Sequence, residues 1–326
     1  MSQHSVSTSL LTAVNHPSQI VIATRESALA MWQARHIEGK LRDLYPTMRT
    51  RLLGMTTEGD RVLGTPLAKI GGKGLFVKEL EIALESGQAD IAVHSMKDVP
   101  MNLAGGFSIA AITQREDPRD AFVSNGYRDL ESLPQGSVIG TSSLRRESQL
   151  RARFPHIRIE PLRGNVQTRL RKLDEGLYAA VILAAAGLKR LGLSARITAI
   201  LEPALSLPAV GQGALGIECR SERSDVIAAL APLNDPVTRW CVEAERALSR
   251  ALAGSCQVPL GGFAEISGGQ ARLRGFVASP DGSHMVYDEI TAPYSGMPQE
   301  LGNAVAQRLI AKGAREILAR LDGQLG

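Results

Sequence analysis

Residues 91–100 read Ile-Ala-Val-His-Ser-Met-Lys-Asp-Val-Pro, and the rest of the chain is best read outward from them. The apolar run 91–93 has the look of a buried parallel strand, and Pro100 stops regular structure just beyond it. In an open α/β sheet, ligands occupy the crevice outside the carboxyl ends of the strands. Asp98 therefore stands at the mouth of such a crevice, with Lys97 and Ser95 beside it. An Asp at a strand end also caps turns, and this stretch alone leaves the two readings level.

Upstream, a first strand over 19–24 ends in Thr24-Arg25-Glu26-Ser27, and a helix begins near Ser27. Its apolar side carries Leu29, Trp32, Ile37, Leu41 and Leu44, with Trp32 expected in the core. A strand over 51–56 follows, then residues 57–74, rich in glycine and carrying Lys69 and Lys73. Two lysines in a Gly-rich loop can cradle an anion. The GGKG run lacks the Ser/Thr of a nucleotide P-loop, so a plain surface loop is an equal alternative. A helix over 75–85 leads back to the opening strand.

Downstream, strands over 107–113 and 121–124 flank the RED-PRD segment 115–120, which reads as a hinge or crossover. A strand over 137–140 runs into Thr141-Ser142-Ser143-Leu144-Arg145-Arg146. The small hydroxyl residues suit a helix N-cap. Two arginines in a first helical turn oppose the helix dipole. Caps, free N–H groups and two guanidiniums at one helix start make an anion site, for which a carboxylate or phosphate is favoured over a solvated face. The pattern recurs: a strand over 158–161 gives way to Arg163-Gly164 and a helix carrying Arg169, and a strand over 179–183 leads to Lys189-Arg190. Three strand-to-helix junctions thus aim Arg145/Arg146, Arg163/Arg169 and Arg190 at one crevice edge.

These patterns predict an α/β fold: two lobes like those of periplasmic binding proteins around a cleft, plus a smaller C-terminal α+β domain. The first lobe takes 19–114 and 213–231, the second 115–212. Residues 207–214 form the return crossover, and strand 215–219 and helix 225–230 rejoin the first lobe. The third domain is 232–326, with a helix over 236–252, three strands (263–266, 272–278, 285–291) and one last helix over 301–321. Gly254 is a natural helix terminator, which leaves Cys256 in an exposed loop. Residues 1–18 read as a disordered tail.

Composition narrows the function classes. The 326 residues are 44% hydrophobic, 21% charged and only 4% aromatic, which speaks against stacking platforms for single-stranded nucleic acid. The net charge of +4 is spread over many short motifs, as suits an anionic small molecule. Cys219, Cys241 and Cys256 form neither a CxxC pair nor an even framework, which favours reduced thiols in a cytosolic protein without a metal site. No run of 18 apolar residues is present, and residues 1–18 make no convincing secretion signal.

The motifs IATRESALA (22–30), KIGGKGLFVKELE (69–81), DIAVHSMKDVP (90–100), REDPRDAFVS (115–124), GTSSLRR (140–146), LRGNVQTRL (162–170), LPAVGQGALGIECR (207–220) and GSCQVPLGGFAE (254–265) closely resemble the porphobilinogen deaminase family. Gly254-Ser255 stands where many members carry Gly-Gly, a conservative departure. The resemblance implies a cytoplasmic enzyme of tetrapyrrole biosynthesis that joins four porphobilinogen molecules head to tail, releases ammonia each time and hydrolyses the product free as hydroxymethylbilane. It implies a dipyrromethane cofactor, bound through a thioether to Cys256, and it puts the catalytic carboxylate on Asp98. It also implies a monomer that needs no metal, nucleic acid or membrane.

Those roles fit the residues. Substrate and cofactor carry acetate and propionate groups. Lys97, Arg145, Arg146 and Arg163 with Gly164 would neutralise or contact the cofactor's, and Arg25, Lys69, Lys73, Arg169 and Arg190 the substrate's. Ser27, Ser95, Thr141 and Ser143 would add neutral hydrogen bonds, and Phe76 would stack on a pyrrole or join the core. Loss of ammonia leaves a positively charged azafulvene, which one carboxylate can stabilise while handling protons. Two other classes remain in play: a two-lobed anionic solute-binding protein without catalysis, and a cysteine hydrolase using Cys256. The second is weak, because His94 lies mid-strand, where a structural histidine is expected.

Overall fold

The computed structural model describes residues 16–61, 77–252 and 258–322. The chain opens with β1 (Gln19–Arg25), α1 (Ala28–Leu44), β2 (Arg49–Met55), α2 (Glu58–Arg61), α3 (Lys78–Glu85) and β3 (Ile91–Ser95). A single 3-10 turn, Met96–Asp98, leads on to β4 (Phe107–Ile112). Then come β5 (Asp120–Val123), β6 (Val138–Gly140), α4 (Leu144–Arg153), β7 (Arg158–Glu160), α5 (Val166–Asp174), β8 (Ala180–Ala184), α6 (Ala185–Arg190) and β9 (Ala199–Leu201). The chain closes with β10 (Leu215–Arg220), α7 (Ser224–Leu230), α8 (Pro236–Ala251), β11 (Leu260–Ser267), β12 (Gln270–Ala278), β13 (Met285–Pro293), α9 (Pro298–Ala311) and α10 (Ala314–Asp322).

Two five-stranded sheets share one plan. The first has the order β2-β1-β3-β10-β4 and the second β7-β6-β8-β5-β9. In each, three parallel strands are followed by an antiparallel strand. That fourth strand is the one on which the chain enters or re-enters: β5 brings it into the second lobe and β10 returns it to the first. Apolar residues fill both faces of the parallel strands, as a sheet covered by helices requires. The third unit is an antiparallel sheet, β11-β12-β13, packed on α8 and α9. The chain is thus α/β with two lobes and a C-terminal α+β unit.

Several local expectations change. The helix expected over 301–321 is two, because Gly313 takes φ 98° between α9 and α10, a left-handed turn that ends the first. The three-residue strand β9 carries too short a pattern to stand out in sequence. Of the expected tail, residues 1–15 lie outside the described residues, whereas His16 packs its ring 4.6 Å from that of Tyr45 and Ser18 accepts from the Arg49 N–H.

Candidate functional site

The turn Met96–Asp98 continues β3 past the sheet edge, so Asp98 is carried out of the first lobe and left exposed. Arg25, Ser27, Gln33, His94 and Ser95 line one concavity with it. Ser27 is the N-cap of α1, its Oγ accepting from the Ala30 N–H at 3.3 Å. Ser95 Oγ accepts from Gln33 Nε2 at 2.9 Å. Arg25 donates from Nε to Asp60 Oδ2 at 3.0 Å and pairs with that carboxylate through Nη2 as well. Below this floor, His94 Nε2 lies 2.7 Å from Glu218 Oε2, both groups buried, so His94 is a paired structural histidine.

The second lobe supplies the cations. α5 begins at the N-cap Asn165, whose side chain accepts from the Thr168 N–H, and Gly164 before it takes φ 111°. That turn brings Arg163 and Arg169 together, with Arg169 Nε donating to the Gly164 carbonyl at 2.8 Å. Arg163 Nη1 is buried and finds no hydrogen-bond partner among the described residues. Burial, reinforced by Arg146 and Arg163 and opposed by Asp98, lowers the pKa of Arg169 to about 10. The last influence reaches across the cleft, because Asp98 belongs to the first lobe.

Lys97 stands at the same junction. It keeps some surface in contact with solvent, yet burial around its ammonium lowers it to about 8. Asp98 and Asp120 oppose the shift, whereas Arg146 and Arg145 add to it. Thr141 and Ser143 lie at the start of α4, where the Ser143 N–H donates to Thr141 Oγ1 at 3.2 Å. Ser142 Oγ donates to the carbonyl of Leu162 and accepts from its N–H, both at 3.0 Å, so the loops bearing Arg145 and Arg163 are clamped together.

Arg145 and Arg146 depart most from expectation. The anion they meet is the protein's own Asp120 at the start of β5: Arg145 Nη1 lies 2.8 Å from Oδ2 and Arg146 Nη2 2.7 Å from Oδ1. Ser206 Oγ, just before the return crossover, and Gln212 Nε2 within it also donate to this carboxylate. Burial opposes ionisation of Asp120, but the two guanidiniums outweigh it and hold its pKa well below the usual carboxylate range. One negative charge answers two positive ones, and Arg145 Nε keeps no partner among the described residues. A net positive charge is thus left at this edge. The sequence reading missed Asp120 because the RED-PRD segment passed for a linker.

Arg190 also differs. It lies at the last position of α6, not at a helix start. Its Nη2 donates to the Gly213 carbonyl at 2.6 Å, and its guanidinium lies 5.9 Å from the centre of the Trp32 ring. Trp32 is half-buried, stacked at 5.0 Å on His36, so it faces the second lobe instead of filling the core. Lys69, Lys73, Phe76 and Cys256 lie outside the described residues. No described helix is long and apolar enough to cross a membrane, and the described residues hold no group of His, Cys, Asp and Glu placed for a metal ion.

A cleft with the exposed Asp98 carboxylate beside Lys97 on one wall and a surplus of guanidinium groups on the other defines a class: an α/β protein built to hold a polyanion beside an acid–base group. Residues 20–228 match the family described as porphobilinogen deaminase, dipyromethane cofactor binding domain, and 240–311 match its C-terminal domain. The chain belongs to the porphobilinogen deaminase family. It is 65% identical over 309 residues to the porphobilinogen deaminase of Nitrosomonas europaea, covering 94% of this chain and 100% of that one. It is 63% identical over 308 residues to that of Methylobacillus flagellatus, covering 94% and 99%. Among solved structures, the methionine-binding protein MetQ matches at TM-score 0.44 and 13% identity, covering 66% of this chain and 89% of that one. At that level the fold is argued from the sheets themselves.

Proposed function

We propose that the chain condenses four porphobilinogen molecules head to tail, releasing ammonia at each step, and frees the product as hydroxymethylbilane. The observation that carries this reading is the placement of Asp98, exposed at the end of β3 beside Lys97, with Arg169 of the second lobe within its electrostatic reach. The dipyrromethane cofactor fits the residues present. Its carboxylates would find the buried Arg163 Nη1, which has no hydrogen-bond partner among the described residues, and the net positive charge of Arg145 and Arg146 over Asp120. Lys97, Ser95, Thr141, Ser143 and Gly164 would complete its cradle, and Cys256 would hold it covalently. When bound, the cofactor supplies the pyrrole carbon on which the product chain starts.

The protein's own groups do the rest. Arg169, Arg190, Arg25 and Ser27, with Lys69 and Lys73 by sequence alone, hold and orient incoming porphobilinogen by its carboxylates, and Phe76, also by sequence alone, stacks on its pyrrole ring. Asp98 hydrogen-bonds the leaving amine. It then offers its negative charge to the cation left on the substrate's methylene carbon, and takes the proton lost from the attacking pyrrole's α-carbon. We assign 19–114 with 213–231 to the lobe bearing Asp98, 115–212 to the arginine-bearing lobe and 232–326 to the unit bearing Cys256. The enzyme so described is a cytoplasmic monomer working without metal, nucleic acid or membrane.

Asp98→Asn tests it. Intact mass spectrometry should show wild type and variant both heavier than the sequence by two pyrrole units. The variant's turnover should fall by on the order of 10²- to 10⁴-fold, the usual worth of a general acid–base group. A fully active protein of unmodified mass, or near-normal turnover by the variant, would sink the reading. Porphobilinogen bound reversibly and never consumed would favour a solute-binding protein.

A further inference from the structure

Asp98 has little of its own to aim it. It ends a one-turn segment with two main-chain bonds, Met96 N–H to the Ala214 carbonyl (3.0 Å) and Val99 N–H to the Met96 carbonyl (3.3 Å). The chain just past it is held from another unit. Arg246, buried on α8, donates from Nη1 to the Val99 carbonyl (3.2 Å) and from Nη2 to those of Pro100 (2.6 Å) and Met101 (3.1 Å). A rigid planar fork of donors can fix several acceptors in one arrangement, which a single ammonium cannot.

The preceding residue on α8 grips the other side of the turn. Glu245, fully buried, accepts from the Gly211 N–H (2.6 Å), the Ala264 N–H (2.9 Å) and both terminal nitrogens of Arg115 (2.6 and 3.1 Å). Gly211 in turn lies so close to the turn that a Cβ on it would fall 2.9 Å from Met96 Cβ and 3.3 Å from the Lys97 nitrogen. Two neighbouring residues of one helix thus fix the Met96–Met101 stretch, Glu245 through the return crossover and Arg246 directly. The same helix ends at Ala251, five positions before Cys256 in sequence.

We propose that Arg246 is a positioning residue for Asp98: it fastens the turn that bears the carboxylate to the helix that precedes Cys256 in sequence. The proposal rests on the role given to Asp98 above. Its effect is on geometry at the reacting centre and not on substrate affinity, since the three bonds above run from Arg246 to main-chain carbonyls of the turn's exit. A misplacement of about 1 Å in a reacting group can cost on the order of 10²-fold in rate.

The experiment compares wild type, Arg246→Lys and Arg246→Gln as purified holoenzymes, reading cofactor load by intact mass and steady-state kinetics per loaded chain. Hydrogen exchange over residues 96–101 is followed alongside. We expect Arg246→Gln to keep the two-pyrrole increment and a KM within about twofold, while kcat falls roughly 30- to 100-fold and exchange at 96–101 quickens. Arg246→Lys should fall in between. Unchanged kcat per loaded chain, or a raised KM with kcat intact, overturns the proposal, as does loss confined to cofactor load. If Arg246→Gln fails to fold, Arg246→Lys decides alone, an intermediate kcat supporting the proposal and a wild-type one overturning it. A wild type that carries no pyrrole increment and consumes no porphobilinogen would instead refute the functional reading itself.

Discussion

Lys97 is a cation whose charge is conditional. Burial brings its pKa down to about 8, below the ordinary lysine value of about 10.4. A carboxylate-bearing ligand meets a charged Lys97 below that pH and a neutral one above it. Accordingly, capture of the cofactor by cofactor-free protein should weaken as pH rises through about 8, by roughly tenfold if one charge-assisted hydrogen bond of about 1.5 kcal/mol is lost. Lys97→Met should flatten that dependence, and an unaltered dependence in this variant would count against the assignment. The stability linkage runs the other way. Between about pH 8 and 10.4 the unfolded chain binds the Lys97 proton more tightly than the folded one, so this group makes stability rise with pH across that window. Asp98 and Lys97 were legible from sequence because strand, polar exit and proline follow one another within ten residues. Asp120 was not, because Arg145 and Arg146 stand 25 and 26 positions from it and only the folded sheet brings them together.

At the scale of the element, the start of α5 shows how tightly the backbone is specified. Gly164 holds φ 111°, where a side chain is strained, and a Cβ there would fall 2.7 Å from Thr168 Cγ2. Gly164→Ala should therefore destabilise the protein by about 1–3 kcal/mol, read from the urea midpoint. It should also weaken the placement of Arg169, which leans on the Gly164 carbonyl. A stability equal to wild type would show that the loop relaxes freely. Elements with long apolar periodicity, such as α1 and α8, were readable within a residue or two. Those defined by a single backbone angle were less so: Gly313 looks in sequence like any helical glycine, and its φ alone divides α9 from α10. Arg190 misled for a similar reason. α6 is six residues long, so its charged pair falls at the end of the helix and not at its head.

Across the whole molecule, the alternation of strand and helix signals made the two lobes and the smaller third unit legible, but not their joinery. Glu245 and Arg115, 130 positions apart, tie both crossovers to the third unit, and nothing local marks either residue for that task. The sheet orders carry a consequence for how the chain is made. Strands β5 to β9 come from one unbroken stretch, residues 120–201, so the second lobe holds its whole sheet as soon as that stretch has emerged. The first lobe cannot close on the same terms. Its strand β10, Leu215–Arg220, lies between β3 and β4, and these have no ladder with each other. Non-local strand pairing waits on loop closure. In synthesis from the N-terminus, the lobe that is translated first is thus completed second. Pulse proteolysis of ribosome-stalled chains should find residues 115–212 protected at lengths where 19–114 is still cut, and the reverse order would contradict this. Until β10 arrives, the strand that leads to Asp98 is an open edge in a growing chain.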